Sequence, residues 1–431
     1  MKAMATSAAM LPVYGLDLVR RYWAPLLCVY TAGQLLHSLM LRGMVQIAGV
    51  NGVAALAGLS VSILVTLATT IVMFHLLRPG MPALEAELFG GRADVGQGGS
   101  TFADRERRIV DAVAMAILPF LIFYSAWGLF VEEYREYAVS SLNEHGLAGI
   151  TTTLEYNELG LPLVIALIAW SGRTLCEKFY TRNQNKWLGV LTALFEANWM
   201  FFAVFSVTQV VVNAKGWVAG RVVVAEAQEA LLGLTHWLGD LTSLPVTAGY
   251  LAAIALVAEL WTHLKDGLIE PLLWLTIVAV VFGAEVDKAE ALFRKGGKGG
   301  RIQKVATRVP NVVRGLGQFA GRDLREKYTP FLNAFRFILR VSPAFYLSFC
   351  LYYVLLELGF GWLERGVYRL VGPHEFLAWW WQWLTPIEFG VGALHELLRV
   401  CLLAATFEMT LRRMGSRSVG RRARRRADLP G

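Results

Sequence analysis

The chain has 431 residues, of which 55% are hydrophobic and 17% are charged, and its formal net charge is +8. Soluble proteins carry about 25% charged residues, so this composition excludes an ordinary soluble protein and indicates an integral membrane protein. The mean hydropathy of +0.47 points the same way. Arginine outnumbers lysine 31 to 10, which is typical of a GC-rich bacterial genome.

Eight apolar runs are long enough to cross a bilayer core of about 30 Å as helices. The first run is expected to be an uncleaved anchor, because Asp17 and the Arg20–Arg21 pair precede it and break any signal-peptide pattern. The sequence therefore predicts an all-α, polytopic membrane protein of about eight transmembrane helices arranged as four hairpins. The runs lie at roughly 22–41, 53–77, 110–131, 159–175, 188–212, 244–264, 337–360 and 387–411.

A ninth apolar stretch, from Pro271 to Ala284, is flanked by Glu270 and Glu285. It has only fourteen uncharged residues, roughly two thirds of what a full span requires. A shorter segment of this kind is expected to re-enter the membrane from one side or to be buried against other helices. The sequence therefore predicts a re-entrant or buried short helix here.

The charges between the runs predict the topology. The tail after Met414 is rich in arginine, 286–330 carries many lysines and arginines, and the chain around Arg173 and Lys178 is basic again, whereas 132–158 is acidic. Basic short segments stay on the cytoplasmic side, so an eight-span protein of the plasma membrane has both termini in the cytoplasm and the acidic stretch outside, in solvent.

This threading divides the chain into five parts. A cytoplasmic N-terminal segment precedes a membrane domain that contains three hairpins and the short apolar segment. A basic amphipathic cytoplasmic segment, a fourth hairpin and an Arg-rich cytoplasmic tail follow. The predicted boundaries are 1–21, 22–285, 286–334, 335–411 and 412–431.

The basic amphipathic segment places Arg301, Lys304, Arg308 and Arg314 between apolar residues that recur at gaps of three and four. Each basic side chain near an anionic inner leaflet gains about 1 kcal/mol, so anionic lipid is the expected partner. Docking onto a cytoplasmic or membrane protein is the alternative. Nucleic acid is not expected, because the topology rule already accounts for the charge.

Motifs for cofactors and metals are not found. The stretch R-K-G-G-K-G-G at 294–300 lacks the Ser or Thr and the preceding strand of a phosphate-binding loop. The four cysteines have no C-x-x-C spacing, and no two of the seven histidines have helical ligand spacing. The H-E-x-x-R stretch at His395 is not a zinc motif, because guanidinium has no lone pair to offer in place of the second histidine. We therefore expect no metal and no other cofactor.

The same stretch places His395, Glu396 and Arg399 inside the last apolar run, at spacings of three and four that put them on one edge of a helix. Glu196 and Asn198 form a second buried polar pair in the fifth run. Charged groups inside a bilayer are costly unless they are paired or face water. These residues therefore either hold helices together, line a polar path for a proton, an ion or an anionic solute, or, with Glu396 and His395, catalyse hydrolysis.

Arg340 and Glu408 lie near the inner ends of the two helices of the last hairpin and are predicted to form an ion pair.

The favoured function is transport of an ion or small solute through a polar path in the helix bundle. The alternative is a non-catalytic membrane subunit that anchors or assembles a larger complex, and an intramembrane hydrolase is a minor alternative. Enzymatic activity is not favoured, because no nucleophile or metal partner of His395 and Glu396 is identifiable in the sequence.

Overall fold

A computed structural model describes residues 2–49, 52–85, 120, 129–146, 160–183, 186–243, 245–286 and 343–427. These residues are almost entirely helical and contain no strand, so the predicted all-α class is confirmed. A single turn of π-helix precedes α8 at Lys265–Ile269 and α10 at Phe376–Trp380. The helices are α1 Lys2–Ala48, α2 Gly52–Leu77, α3 Leu129–His145, α4 Gly160–Asn183, α5 Lys186–Ala219, α6 Val222–Thr242, α7 Val246–Leu264, α8 Glu270–Val286, α9 Pro343–Val371 and α10 Trp381–Ala427.

Within the described residues, four helical stretches are long and apolar enough to cross a membrane. A polytopic membrane protein is therefore supported, whereas the count of eight spans stays a prediction. The predicted run at 110–131 lies mostly outside the described residues. The four stretches are Met10–Ala48, Ala57–Gly80, Pro343–Val371 and Phe376–Arg413, and Leu163–Cys176 is a shorter apolar helix.

The chain divides into two compact units, each assembled from separate parts of the sequence. The first unit comprises Met1–Leu39, Leu64–Phe120 and Pro271–Gly431. The second comprises Met40–Ile63 and Leu121–Glu270.

Helix α10 occupies the centre of the first unit. All residues from Val400 to Glu408 are buried, whichever side of the helix they lie on. A helix that is apolar all round must be enclosed on every side. The ring of Phe407 stacks on Phe282 of α8 at a centroid distance of 5.5 Å, and Phe282 contacts Phe74 of α2 at 6.1 Å. Aromatic packing thus joins α2, α8 and α10 in one core.

Helix α8 is the short apolar segment that the sequence singles out. Its residues from Leu272 to Phe282 are buried, with only Leu273 partly exposed. It is apolar on all faces but has only 17 residues, so its surface is covered by protein within the first unit. The buried alternative of the prediction is confirmed, and re-entry from one side of a membrane stays a prediction.

The second unit contains the antiparallel pair α4 and α5, which packs along its length. At Gly172 the helices approach so closely that a Cβ atom would lie 2.8 Å from the Phe195 ring.

Helix α3 contains part of the acidic stretch 132–158, which was predicted to be solvated. That expectation is wrong for Glu133, which is buried and accepts a hydrogen bond from Ser62 at 3.5 Å.

Candidate functional site

A glutamate–histidine pair joins the two helices of the last hairpin. Helix α9 buries Tyr346, Phe349 and Tyr353 on one face, and Glu357 follows one turn later on that face. His395 of α10 meets it there, with 3.0 Å between His395 Nε2 and Glu357 Oε1. The distance is that of a good hydrogen bond, and it becomes an ion pair when the imidazole carries a proton.

The pair is half-enclosed. The Phe360 ring lies 4.9 Å from the imidazole of His395, centroid to centroid, and the Tyr353 hydroxyl hydrogen-bonds to the Glu357 carboxylate. The Glu357 side chain is 38% exposed and that of His395 is 20% exposed. Glu357 is therefore the more exposed partner of the pair.

Glu396 and Arg399 continue the site along α10. Their side chains form a direct ion pair across one turn, which confirms the helix edge predicted from their spacing. The Arg399 guanidinium also lies over the Trp274 ring of α8, 4.5 Å from its centroid, in a cation–π contact. Its charge acts through space on Glu357 as well. Three helices of the first unit thus contribute to one polar cluster.

Two members of this cluster are missing from the sequence interpretation, namely Glu357 and Trp274. Glu357 could have been singled out in the sequence, because it is the only charged residue between Pro343 and Trp362. An isolated carboxylate in such a run carries the same expectation of function or pairing as Glu396 does. Trp274 had no comparable signal, since an aromatic residue in an apolar helix is ordinary core.

Glu196 belongs to the second unit, where its partner is Arg173 of α4 at 3.9 Å. Both side chains are nearly buried. Of the two polar residues predicted to be buried here, Glu196 is buried and Asn198 is partly exposed. Asn198 Nδ2 donates to the Leu194 carbonyl at 3.1 Å. Arg173, which the sequence counted among the basic residues on the cytoplasmic side, is thus a nearly buried residue of α4.

Glu408 forms a third polar centre, in the first unit. Its fully buried carboxylate accepts the backbone N–H groups of Ala83 at 2.8 Å and Leu84 at 3.1 Å. Arg412 donates to it from one turn later, at 2.8 Å. These N–H groups begin the helical turn after Pro82, where a carboxylate satisfies donors that have no carbonyl partner.

The aromatic ring of Tyr14 completes this third centre. The Arg412 guanidinium lies 5.2 Å from the Tyr14 ring centroid, and the Tyr14 hydroxyl donates to the Gly80 carbonyl at 2.6 Å. The predicted partner of Glu408, Arg340, lies outside the described residues, so that ion pair stays a prediction.

The residues expected to contact anionic lipid are also outside the described part of the chain. Their lipid contact stays a prediction. They are Arg301, Lys304, Arg308 and Arg314.

Chemically, the cluster around Glu357 and His395 offers one exchangeable proton position between two weakly acidic groups. Glu396 and Arg399 neutralise one another next to it.

Comparison of the chain with protein-family models, with curated proteins and with solved structures finds no match.

Proposed function

We propose that this protein is a transport protein of the plasma membrane, which passes an ion or small solute through the polar cluster of the first unit. Both termini would lie in the cytoplasm, as the distribution of basic residues favours. The single observation that carries the proposal is the position of the Glu357–His395 pair along its two helices.

Glu357 lies fourteen residues from either end of the candidate span Pro343–Val371, or about 21 Å along the axis. His395 lies within one residue of the midpoint of the candidate span Phe376–Arg413. If both helices cross a bilayer, the pair lies well inside the hairpin and away from the helix ends. An ionisable residue costs up to about 2.5–3.5 kcal/mol at the bilayer centre on insertion scales. Residues kept at such a cost are generally used for conduction or for pairing.

The partial exposure of Glu357 favours conduction over simple pairing. A carboxylate that only holds two helices together is best enclosed, since its hydrogen bond is then shielded from competing groups. The Glu357 side chain is instead 38% exposed. Lipid tails cannot solvate a carboxylate, so a water-filled path or a polar solute next to Glu357 is the better account.

The internal pairing of Glu396 with Arg399 supports the same proposal. Both residues belong to α10, so their ion pair does not link one helix to another. It places a compensated charge pair beside Glu357 and His395 instead. Such an ion pair contributes to the electrostatic potential at Glu357 and His395 without linking α10 to another helix.

Reconstitution of the purified full chain in liposomes tests the proposal. Charge movement on a solid-supported membrane, screened over ion gradients, is expected for the natural chain and lost with Glu357→Gln or His395→Gln. The matched controls are Glu259→Gln and His263→Gln, since these residues form a glutamate–histidine pair on α7 in which both side chains are 76% exposed. Equal currents from Glu357→Gln and the natural chain would contradict the proposal.

A complex-assembling subunit is the second candidate, and helix α7 favours it. Helix α7 buries none of its residues, and its apolar residues Leu256, Val257, Leu260 and Trp261 are all largely exposed. Lipid could cover these apolar groups, but Glu259 is exposed among them, and a polar partner surface suits a carboxylate better than lipid does.

Purification in mild detergent tests this second candidate. A stoichiometric protein that co-purifies with the natural chain, and is lost with Glu259→Gln, would support it. Such a loss together with unchanged currents would show that α7 binds a partner and that transport does not need it. The hydrolase alternative gains nothing from the geometry, since His395 contacts Glu357 and Phe360, and Glu396 contacts Arg399.

A further inference from the structure

The formal charges of the polar cluster do not cancel. Glu357 and Glu396 each carry one negative charge, Arg399 carries one positive charge, and a neutral His395 carries none. The cluster then has one negative charge in excess. Uncompensated charge in a medium of low dielectric constant is costly, and a single bound proton removes the excess completely.

We infer that the Glu357–His395 pair is a proton-binding site, and that the proton is the ion moved through the first unit. The second half of this inference rests on the proposed transport function. The first half, an exchangeable proton at the pair, stands on geometry alone. The distance of 3.0 Å between His395 Nε2 and Glu357 Oε1 fits one shared hydrogen and leaves no room for a larger ion between them.

Other ions fit this cluster less well. An anion would meet two carboxylates, while the guanidinium of Arg399 is already engaged by Glu396 and by the face of Trp274. A metal cation such as Ca²⁺ takes six to eight oxygen ligands at about 2.3–2.6 Å, whereas Glu357 faces an imidazole nitrogen and one phenolic hydroxyl. A proton needs only the two atoms that are already in contact.

The neighbouring groups are consistent with one titrating proton. Tyr353 on α9 and Arg399 on α10 act on Glu357, and Arg399 in turn contacts Glu396 and the neutral Trp274 on α8. From α1, the Tyr30 hydroxyl approaches α10 at Gly392, one turn before His395. Beyond these, the next charged residues are Glu364 on α9, which Arg365 follows directly, and Glu388 on α10; both glutamates are seven residues, or about 10 Å, from the pair.

The transfer step is balanced by the proton alone. When the neutral imidazole carries its hydrogen on Nδ1, Nε2 presents a lone pair to the Glu357 carboxylate. A proton that arrives at this carboxylate then passes to His395 Nε2, which gives a carboxylate–imidazolium pair. Its release from either partner restores the carboxylate and the neutral imidazole. No bond between heavy atoms forms or breaks, and no electron is transferred.

Nuclear magnetic resonance of the reconstituted full chain, labelled with ¹⁵N-histidine, detects the protonation of His395 directly. The His395 signal is identified by its absence in His395→Gln. We expect a hydrogen-bonded Nε2–H resonance that is present at acid pH and lost at alkaline pH, and that is missing at every pH in Glu357→Leu. The exchange variant Glu357→His with His395→Glu should restore it, which also shows that the hairpin folds without the natural arrangement. A His395 signal indifferent to pH, or unchanged in Glu357→Leu, would overturn the inference.

A second assay identifies the transported ion. It measures proton flux into pyranine-loaded liposomes, driven by a potassium diffusion potential. We expect flux with the natural chain and with the exchange variant, and the background of empty liposomes with Glu357→Gln. Currents carried by another ion, without proton movement, would overturn the assignment of the proton and leave the transport proposal standing. A titrating His395 without current of any kind would support the proton site and contradict transport.

Discussion

The buried carboxylate of Glu408 offers the sharpest test of the energetics. Glu408→Ala removes the acceptor of two backbone N–H groups, those of Ala83 and Leu84, and of one Arg412 N–H. Each backbone donor left without a partner in the packed region costs about 1–3 kcal/mol. Arg412 is half exposed and can turn to solvent, so its loss adds about 0–1 kcal/mol. We expect the free energy of unfolding to fall by about 4 kcal/mol.

Two further variants separate the backbone contacts from the ion pair. Glu408→Gln keeps one acceptor oxygen, so it should retain one of the two backbone bonds and cost about half as much. Arg412→Gln leaves both backbone bonds in place and should cost about 1 kcal/mol or less. The expected order of destabilisation is therefore Glu408→Ala, Glu408→Gln and then Arg412→Gln.

Denaturant unfolding of the purified chain in detergent measures the three free energies. Hydrogen–deuterium exchange of the peptide containing Ala83 and Leu84 should accelerate in Glu408→Ala and stay unchanged in Arg412→Gln. If Arg412→Gln were as damaging as Glu408→Ala, the ion pair and not the helix cap would stabilise this region. A free energy of unfolding in Glu408→Ala equal to that of the natural chain would refute the reasoning altogether.

Three other changes test separate contacts. Arg399→Leu should destabilise the chain by about 3–5 kcal/mol, because it leaves a buried carboxylate uncompensated, and adding Glu396→Gln should recover most of the loss in the same unfolding assay. Gly172→Ala should cost about 1–3 kcal/mol through its contact with Phe195, and Phe195→Leu should relieve it in a double-mutant cycle. A cysteine introduced at Ser418, in a background without other cysteines, should stay unlabelled by an impermeant reagent added outside intact cells; labelling would contradict a cytoplasmic tail.

Features that depend on one helix alone could be read from the sequence. The ion pair of Glu396 and Arg399 follows from a spacing of three residues. The burial of α8 follows from a run that is apolar on all faces but too short to span a bilayer. Both interpretations need only the helical repeat, which is the same in every α-helix.

Contacts between helices depend on how two helices are shifted along each other, and the sequence does not state that shift. The histidine at 395 has a carboxylate partner on α9 because α9 and α10 pack in one register. Glu357 was recognisable as an isolated acid, but its partner was not. The partners of Glu408 are backbone N–H groups, which every residue but proline carries, so no residue pattern marks them.

The pair of Arg173 and Glu196 is intermediate between these cases. Helix α4 ends at Asn183 and α5 begins at Lys186, so Arg173 and Glu196 each lie ten residues from the connection. In an antiparallel hairpin with so short a connection, residues equally distant from it lie side by side. The pairing could have been predicted from this symmetry, since the predicted runs 159–175 and 188–212 contain Arg173 and Glu196.

The central position of α10 has a consequence for the order in which the molecule is built. A ribosome completes every segment of the second unit by Glu270 and every other described helix of the first unit by Val371, before α10 is synthesised. Domains generally assemble as their sequences emerge. The second unit can therefore assemble during synthesis, whereas α2 and α8 keep apolar surface uncovered until α10 arrives. During that interval the first unit depends on the insertion machinery or a chaperone to shield it from aggregation.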